Sequence, residues 1–277
     1  MSARKIVVLY HAVCHDGLVA AWVAKNWLED SYKRDIDDTY SYIPVSYGQD
    51  VPEIAWKADL LFILDFSYKR EIMEKLAEGR QFRCIDHHKT AEKELSGMYD
   101  CTFNMDKSGA RLTWEHFYGT HKSSPWLVDY VEDRDLWKWK LDRSQEVNAY
   151  IRSFPMTFGA LNALNEQSAC DCFGPGATVI MRENRLVEQI ISGAHGCVLN
   201  GVIGLACTSP VLQSEVAGKL ADDFDVPYGC CYFRRSDGLW IYSLRSRSDF
   251  DVSELASNFG GGGHPQAAGF ESDYVRF

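Results

Sequence analysis

Side chains able to bind a divalent cation or move a proton gather in three short stretches: His11 with His15 and Asp16, an isolated Asp65, and the triplet Asp86-His87-His88. A lone Asp or His in a loop is ordinarily a cap or a solvated polar group. Three such stretches, each directly after an apolar run, are better explained as one site. Imidazole and carboxylate ligands without thiolates suit Mn²⁺ or a similar ion such as Mg²⁺ or Co²⁺. Two such ions can share a bridging carboxylate, polarise a phosphoryl group and activate a water, so hydrolysis of a phosphate ester is the chemistry this set best supports. Asp65, alone in its stretch, is the natural bridge. The cluster Glu132-Asp133-Arg134-Asp135 follows the apolar Trp126 to Val131 and reads equally as a further ligand source or as a solvated charge run.

The second half carries Gly260-Gly261-Gly262-Gly263-His264-Pro265-Gln266-Ala267-Ala268-Gly269. Consecutive glycines permit positive φ and let backbone N–H groups approach an anion, so this run is expected to cradle phosphate. Upstream, Arg245 and Arg247 offer guanidinium groups suited to gripping phosphate in two places, or to pairing with surface acids.

The elements that must position these residues alternate. Lys5 to Tyr10, Leu60 to Leu64 and Gln81 to Ile85 are short runs of strand formers. Leu18 to Leu28 and Tyr68 to Ala77 have helical apolar spacing, with Gly79 as a stop. Strands alternating with helices predict a parallel sheet covered on both faces, with ligands bound beyond the carboxyl ends of its strands. Pro155, Gly159, Gly174, Pro175 and Gly176 then punctuate an irregular stretch before a helix from Ala177 to Ser192. The expected organisation is therefore an α/β chain: residues 1–145 as the metal-binding domain, 146–190 as linker and connecting helix, and 191–277 as a smaller α/β substrate-binding domain. In that last part Cys197 to Cys207 and Tyr228 to Leu244 read as strands. Ser209-Pro210 is expected to start a helix over Val211 to Asp223, and Asp251-Val-Ser-Glu254 to form a capping box.

Composition narrows the function classes. The 277 residues include 46% hydrophobic and 25% charged, ordinary globular values. Lys plus Arg of 29 against Asp plus Glu of 39 gives a net charge of −10, which disfavours tight binding to long duplex nucleic acid but not to a small anionic ligand. Nine cysteines in no regular framework suggest reduced thiols, and no stretch is long and apolar enough to span a bilayer. A soluble, cytoplasmic protein without membrane partners is expected.

Taken together, His11-Ala-Val-Cys-His-Asp16-Gly17, the isolated Asp65, the Asp86-His87-His88 triplet and the closing Gly-Gly-Gly-Gly-His-Pro-Gln-Ala-Ala-Gly resemble the DHH phosphoesterases with a DHH-associated C-terminal domain, in the short-oligoribonuclease branch. The resemblance covers nearly the whole chain. It implies two Mn²⁺ ions in the first domain and a cleft towards the second. By motif, His11, Asp16, Asp65 and His87 would be metal ligands. Asp133 would supply the last, with Asp135 as the alternative. Asp86 would orient a histidine, and His88 would face the phosphate. Arg245, Gly261, Gly262, Gly263 and His264 would hold the rest of the substrate, with Arg247 beside them. Many members of that family have two aspartates in the first motif. Here Cys14-His15-Asp16 departs from that pattern, leaving Cys14 or His15 to substitute. The implied substrate is a short oligonucleotide cleaved from an end. Related alternatives are a cyclic dinucleotide, 3′-phosphoadenosine 5′-phosphate, or a nucleotide bound without turnover.

Overall fold

The computed structural model describes residues 3–30, 38–247 and 249–277, and the chain divides into two compact units, Met1–Ile180 and Met181–Phe277. In the first, β1 (Lys5–His11), β2 (Thr39–Val45), β3 (Leu60–Leu64), β4 (Gln81–Asp86) and β5 (Cys101–Phe103) form an all-parallel sheet of order β2-β1-β3-β4-β5. The uninterrupted apolar runs of β1 and β3 follow from burial on both faces. Ile6, Val8, Leu60, Phe62 and Leu64 point to one side and Val7, Leu9, Leu61 and Ile63 to the other. The first side packs against α1 (His15–Asp30), while α2 (Glu53–Trp56) and α3 (Arg70–Ala77) cover the second, with Leu95 at the end of α4 (Lys89–Glu94).

The first side is completed by α5 (Gly109–Tyr118), α6 (Trp126–Asp135), α7 (Ser144–Arg152) and α8 (Phe158–Asn165). The stretch from 146 expected as linker is thus largely part of this unit. Val147, Ile151, Leu161, Leu164 and Cys172 are buried in the same core as β1, and the Trp22 indole donates to Asn162 Oδ1 at 2.7 Å. At about 1.5–3 kcal/mol for each large apolar side chain removed from water, these helices contribute far more than a tether would. Gly176, which reads as punctuation, lies in α9 (Phe173–Ile191), where a Cβ would collide with the Glu146 carbonyl of α7.

The chain turns back on itself between β1 and β3: β2 lies on one side of β1 and β3 on the other. Such a reversal splays the following loops apart and leaves a crevice at the carboxyl edge. His11 ends β1, Asp65 follows β3 and Asp86 ends β4, so the ligand-type residues sit at that reversal and beside it.

The second unit holds β6 (His195–Leu199), β7 (Val202–Thr208), β8 (Gly229–Arg234), β9 (Trp240–Arg245), β10 (Gly262–His264) and β11 (Ala267–Ser272), a mixed sheet of order β10-β11-β9-β8-β7-β6 in which β7 and β8 are parallel. Its helices are α10 (Gln213–Asp223) and α11 (Val252–Ser257). Each of the two long strands expected here is a hairpin, the first turning at Asn200-Gly201 with φ of 47° and 80°, the paired left-handed residues of a tight turn. Asp251 caps α11 by accepting from Ser253 N and Glu254 N, as its capping position requires. The Ser209-Pro210 start does not hold. Ser209 binds the backbone of Val211 instead, and α10 begins at Gln213 after a left-handed Leu212.

Candidate metal centre

The triplet is organised by one oxygen. Asp86 Oδ1 accepts from His87 N at 2.7 Å and His88 N at 3.2 Å and lies 2.7 Å from His88 Nδ1. Asp86 thus holds the turn and the ring of His88 together. Burial lowers the His88 pKa, but the Asp86 carboxylate outweighs it and raises the pKa, favouring the imidazolium.

Around this turn the ligand-type atoms form two triads, His11 with Asp65 and His88, and Asp16 with Asp65 and His87; within each, the atoms lie within 4.8 Å of one another. Asp65 is common to both. His87 Nε2 lies 3.1 Å from Asp65 and 3.6 Å from Asp16, while His11 Nδ1 is 3.6 Å from Asp65. Asp16, Asp65 and His87 are each 1% exposed. Neither Asp65 oxygen is satisfied by a well-formed hydrogen bond, and Asp86 Oδ2 and Asp135 Oδ2 are likewise buried without one. Buried polar atoms are nearly always satisfied, so orphaned carboxylate oxygens converging on one point ask for a cation.

The electrostatics agree. Burial, then Asp65 and Asp135, push the Asp16 carboxyl well above the usual carboxylate range. Asp65 stays well below that range despite burial because His11 and His87 flank it. Burial would lower His87, but Asp65, Asp135 and Asp16 hold it well above the ordinary imidazole value. Three acid groups, Asp16, Asp65 and Asp135, thus crowd one buried imidazole, His87. That imbalance, with oxygen and imidazole donors, fits divalent cations such as Mn²⁺.

Two features that carry no charge shape the centre. Ser108 caps α5, and the next two amides, Gly109 N and Ala110 N, donate to Asp16 Oδ2 at 2.6 Å and Oδ1 at 3.0 Å. A helix N-terminus thereby clamps one ligand. A Cβ at Gly109 would lie 2.6 Å from Asp65 Cβ, so only glycine lets α5 approach the shared carboxylate. Gly17 is similar, since a Cβ there would strike the His11 carbonyl. Asp65 itself has φ of 53°, left-handed and unusual for a residue with a side chain. Sequence reasoning passed over Ser108 and Gly109. The signal was the Ser-Gly pair opening an amphipathic helix.

Asp133 and Asp135, the two candidates for the last ligand, lie in different surroundings. Asp133 is buried, but its carboxylate accepts from Lys140 N at 3.0 Å and Leu141 N at 3.3 Å, bracing the loop after α6. Asp135 Oδ2 reaches to 3.4 Å from His87 Nε2. Two positions along a helix differ by roughly 200° about its axis, so one carboxylate facing the centre excludes the other. Cys14, just before α1, receives the N–H of Gly17; burial and then Asp65, Asp135 and Asp16 push its thiol well above the usual range, which leaves it protonated. His15 heads α1 and belongs to neither triad.

In the second unit, Gly262–His264 is the edge strand β10 paired with Ala267–Ser272. Gly263 has φ of 142°, and a Cβ there would lie 2.5 Å from the Ala267 carbonyl; one at Gly261 would strike the Gly269 carbonyl. Close packing within this hairpin accounts for both glycines. Arg245 donates to Ser214 Oγ at 2.6 Å and to the Leu244 carbonyl at 2.8 Å, while Arg247 Nε lies 2.6 Å from Asp222 Oδ1. His264 ends β10 and is half-buried.

The DHHA1 domain family matches residues 204–275. The chain is 31% identical over 286 residues to an uncharacterized protein of Acanthamoeba polyphaga mimivirus, covering 95% of this chain and 66% of that protein. It is 24% identical over 294 residues to oligoribonuclease NrnB of Bacillus subtilis, covering 94% of this chain and 72% of that protein. The crystal structure of RecJ in complex with Mn²⁺ from Thermus thermophilus matches with a TM-score of 0.56 at 16% identity, over 98% of this chain and 50% of RecJ. At that identity the likeness is one of fold. The chain spans about two thirds of the mimivirus protein and half of RecJ. No helix among the described residues is long and apolar enough to cross a membrane.

Proposed function

We propose, from the premise that this chain belongs to the DHH family of phosphoesterases and carries a DHHA1 domain, that it hydrolyses phosphodiester bonds of short oligonucleotides or small nucleotides with the help of two divalent ions, Mn²⁺ foremost. One observation carries the reading: two ligand triads share Asp65, whose buried oxygens have no other well-formed partner. His11 and Asp65 would hold one ion. Asp16, Asp65, His87 and Asp135 would hold the other. When bound, such ions draw charge from the phosphoryl oxygens and make a water acidic enough to attack at neutral pH.

The chain's own groups do the remaining work. Asp86 orients His88 and favours its imidazolium form, which would suit it to a phosphoryl oxygen better than to a cation. The α5 amides keep Asp16 from turning away. In the DHHA1 unit, Arg245 and His264 are the side chains proposed to face phosphate. The net charge of −10 favours substrates with few phosphates, and the similarity to an oligoribonuclease points the same way.

The test is a panel of 5′-labelled RNA and DNA dimers to ten-mers, cyclic dinucleotides and 3′-phosphoadenosine 5′-phosphate, incubated with Mn²⁺ or with chelator. Shortening of the oligomers that requires Mn²⁺ is the expected result, and the label pattern gives the end attacked. Release of phosphate from 3′-phosphoadenosine 5′-phosphate alone would replace the diesterase by a monoesterase. Binding without turnover of any member would make the protein a nucleotide binder.

A further inference from the structure

Beside the centre stands an aromatic ring that the reading above leaves without a task. Tyr47 follows β2, whose carboxyl end lies on the same sheet edge as those of β1, β3 and β4 because all run parallel. Its ring centroid is 5.4 Å from that of His11 and 6.2 Å from that of His88, edge-on to both, and 4.7 Å from that of Phe66. Phe66 and Tyr68 beneath are buried, whereas Tyr47 is 46% exposed.

The ring is held in place. Gln49 N donates to the Ser46 carbonyl at 3.2 Å, and Ser46 N donates to Gln49 Oε1 at 3.0 Å. Gly48 takes φ of 82° to close this turn, and Ala12 N ties the end of β2 to the β1 loop at 2.8 Å through the Val45 carbonyl. That adjoining loop exposes Val13 at 89%, in a left-handed backbone of φ 56°. A single exposed tyrosine is ordinary on any surface. One carried on a hydrogen-bonded turn, with its ring edge-on to two histidines of the centre, is different, because a group bonded to a phosphate held there would be near enough to pack against it.

Bare phosphate or polyphosphate gains nothing from an aromatic face. A nucleobase does, by about a factor of ten or more in affinity, whichever base it is. We infer that Tyr47 is a specificity-determining contact that packs against the base next to the scissile phosphate, so that the centre selects nucleotides over other phosphate esters without reading their sequence. This rests on the phosphodiesterase reading above.

The experiment uses the full chain with Mn²⁺ and compares Tyr47→Leu and Tyr47→Phe with wild type. An RNA dinucleotide is set against its analogue lacking the base beside the scissile phosphate, with Mn²⁺ affinity measured by calorimetry. Tyr47→Leu is expected to raise KM for the dinucleotide about ten-fold, and Tyr47→Phe to restore it. The base-free analogue should have nearly the same KM with all three proteins, and Mn²⁺ affinity should not change. An unchanged dinucleotide KM in Tyr47→Leu, an equal rise with the base-free analogue, or a loss of Mn²⁺ would each overturn the inference. If wild type cleaves no dinucleotide, the phosphodiesterase reading fails instead. Equilibrium binding of the same ligands then decides Tyr47 by the same pattern of affinities.

Discussion

The rim of the parallel sheet and the glycine–arginine segment of the DHHA1 unit both stand out in the sequence for their chemistry, yet the fold treats them in opposite ways. At the rim, carboxylate oxygens of Asp65 and Asp135 meet at His87 and, like Asp86 Oδ2, are buried without a well-formed hydrogen bond. In the DHHA1 unit, Arg245 and Arg247 have protein partners and the glycines serve a tight hairpin. Buried carboxylate oxygens without a well-formed hydrogen bond identify the centre better than residue type does, because burying them costs free energy that a bound cation would return.

The largest effect expected from this contrast is at Asp65. Asp65→Ala removes the member common to both triads, and turnover should fall by about a thousand-fold or more with loss of bound Mn²⁺, checked by single-turnover kinetics and metal analysis. Gly109→Ala adds one methyl against Asp65. A displacement of about 1 Å there should cost on the order of 100-fold in kcat, together with about 1–3 kcal/mol in thermal unfolding. The pair Asp135→Asn and Asp133→Asn separates two carboxylates in one helix. The first should weaken Mn²⁺ roughly 10- to 100-fold by calorimetry. The second should leave Mn²⁺ affinity nearly intact and cost about 1–3 kcal/mol in denaturant unfolding, through the lost bracing of Lys140 N and Leu141 N. On the other side of the contrast, Gly261→Ala should destabilise by about 1–3 kcal/mol because β10 must move off β11, with Mn²⁺ affinity unaffected. Arg247→Ala should be smallest, within about 1 kcal/mol in stability, since its partner Asp222 is at the surface. A marked rise in KM for Arg247→Ala would show that the second segment is more than scaffold.

Much of this was legible because the central strands bury both faces. Runs such as Leu60 to Leu64 have no alternation to misread, and a polar residue ending such a run must lie at the sheet edge. The edge strand Thr39–Val45 escaped because it is half-exposed, mixes tyrosines with Ser41 and Pro44, and so shows neither a clean run nor a clean alternation. The helices from 144 to 165 are short and interrupted at Pro155. Their apolar pairs Val147 with Ile151 and Leu161 with Leu164 keep helical spacing, but two pairs are too few to outweigh the breakers. The choice between Asp133 and Asp135 was closed to the sequence because helical phase separates them and no residue nearby reports that phase. Gly109 and Tyr47 act by shape and position, which residue type alone does not announce.

The left-handed backbone at Asp65 has a consequence for how the protein persists as a folded molecule. A non-glycine residue in that region costs of order 1 kcal/mol or more, and both oxygens of Asp65 are buried without a well-formed hydrogen bond. On the two-ion reading proposed above, the centre is a weak point of the fold until a cation fills it. Occupancy then contributes to stability by mass action, rising with the logarithm of free ion concentration. On that same reading, the chain should be most resistant to heat and proteolysis when loaded with metal, and metal scarcity should lower its abundance together with its activity.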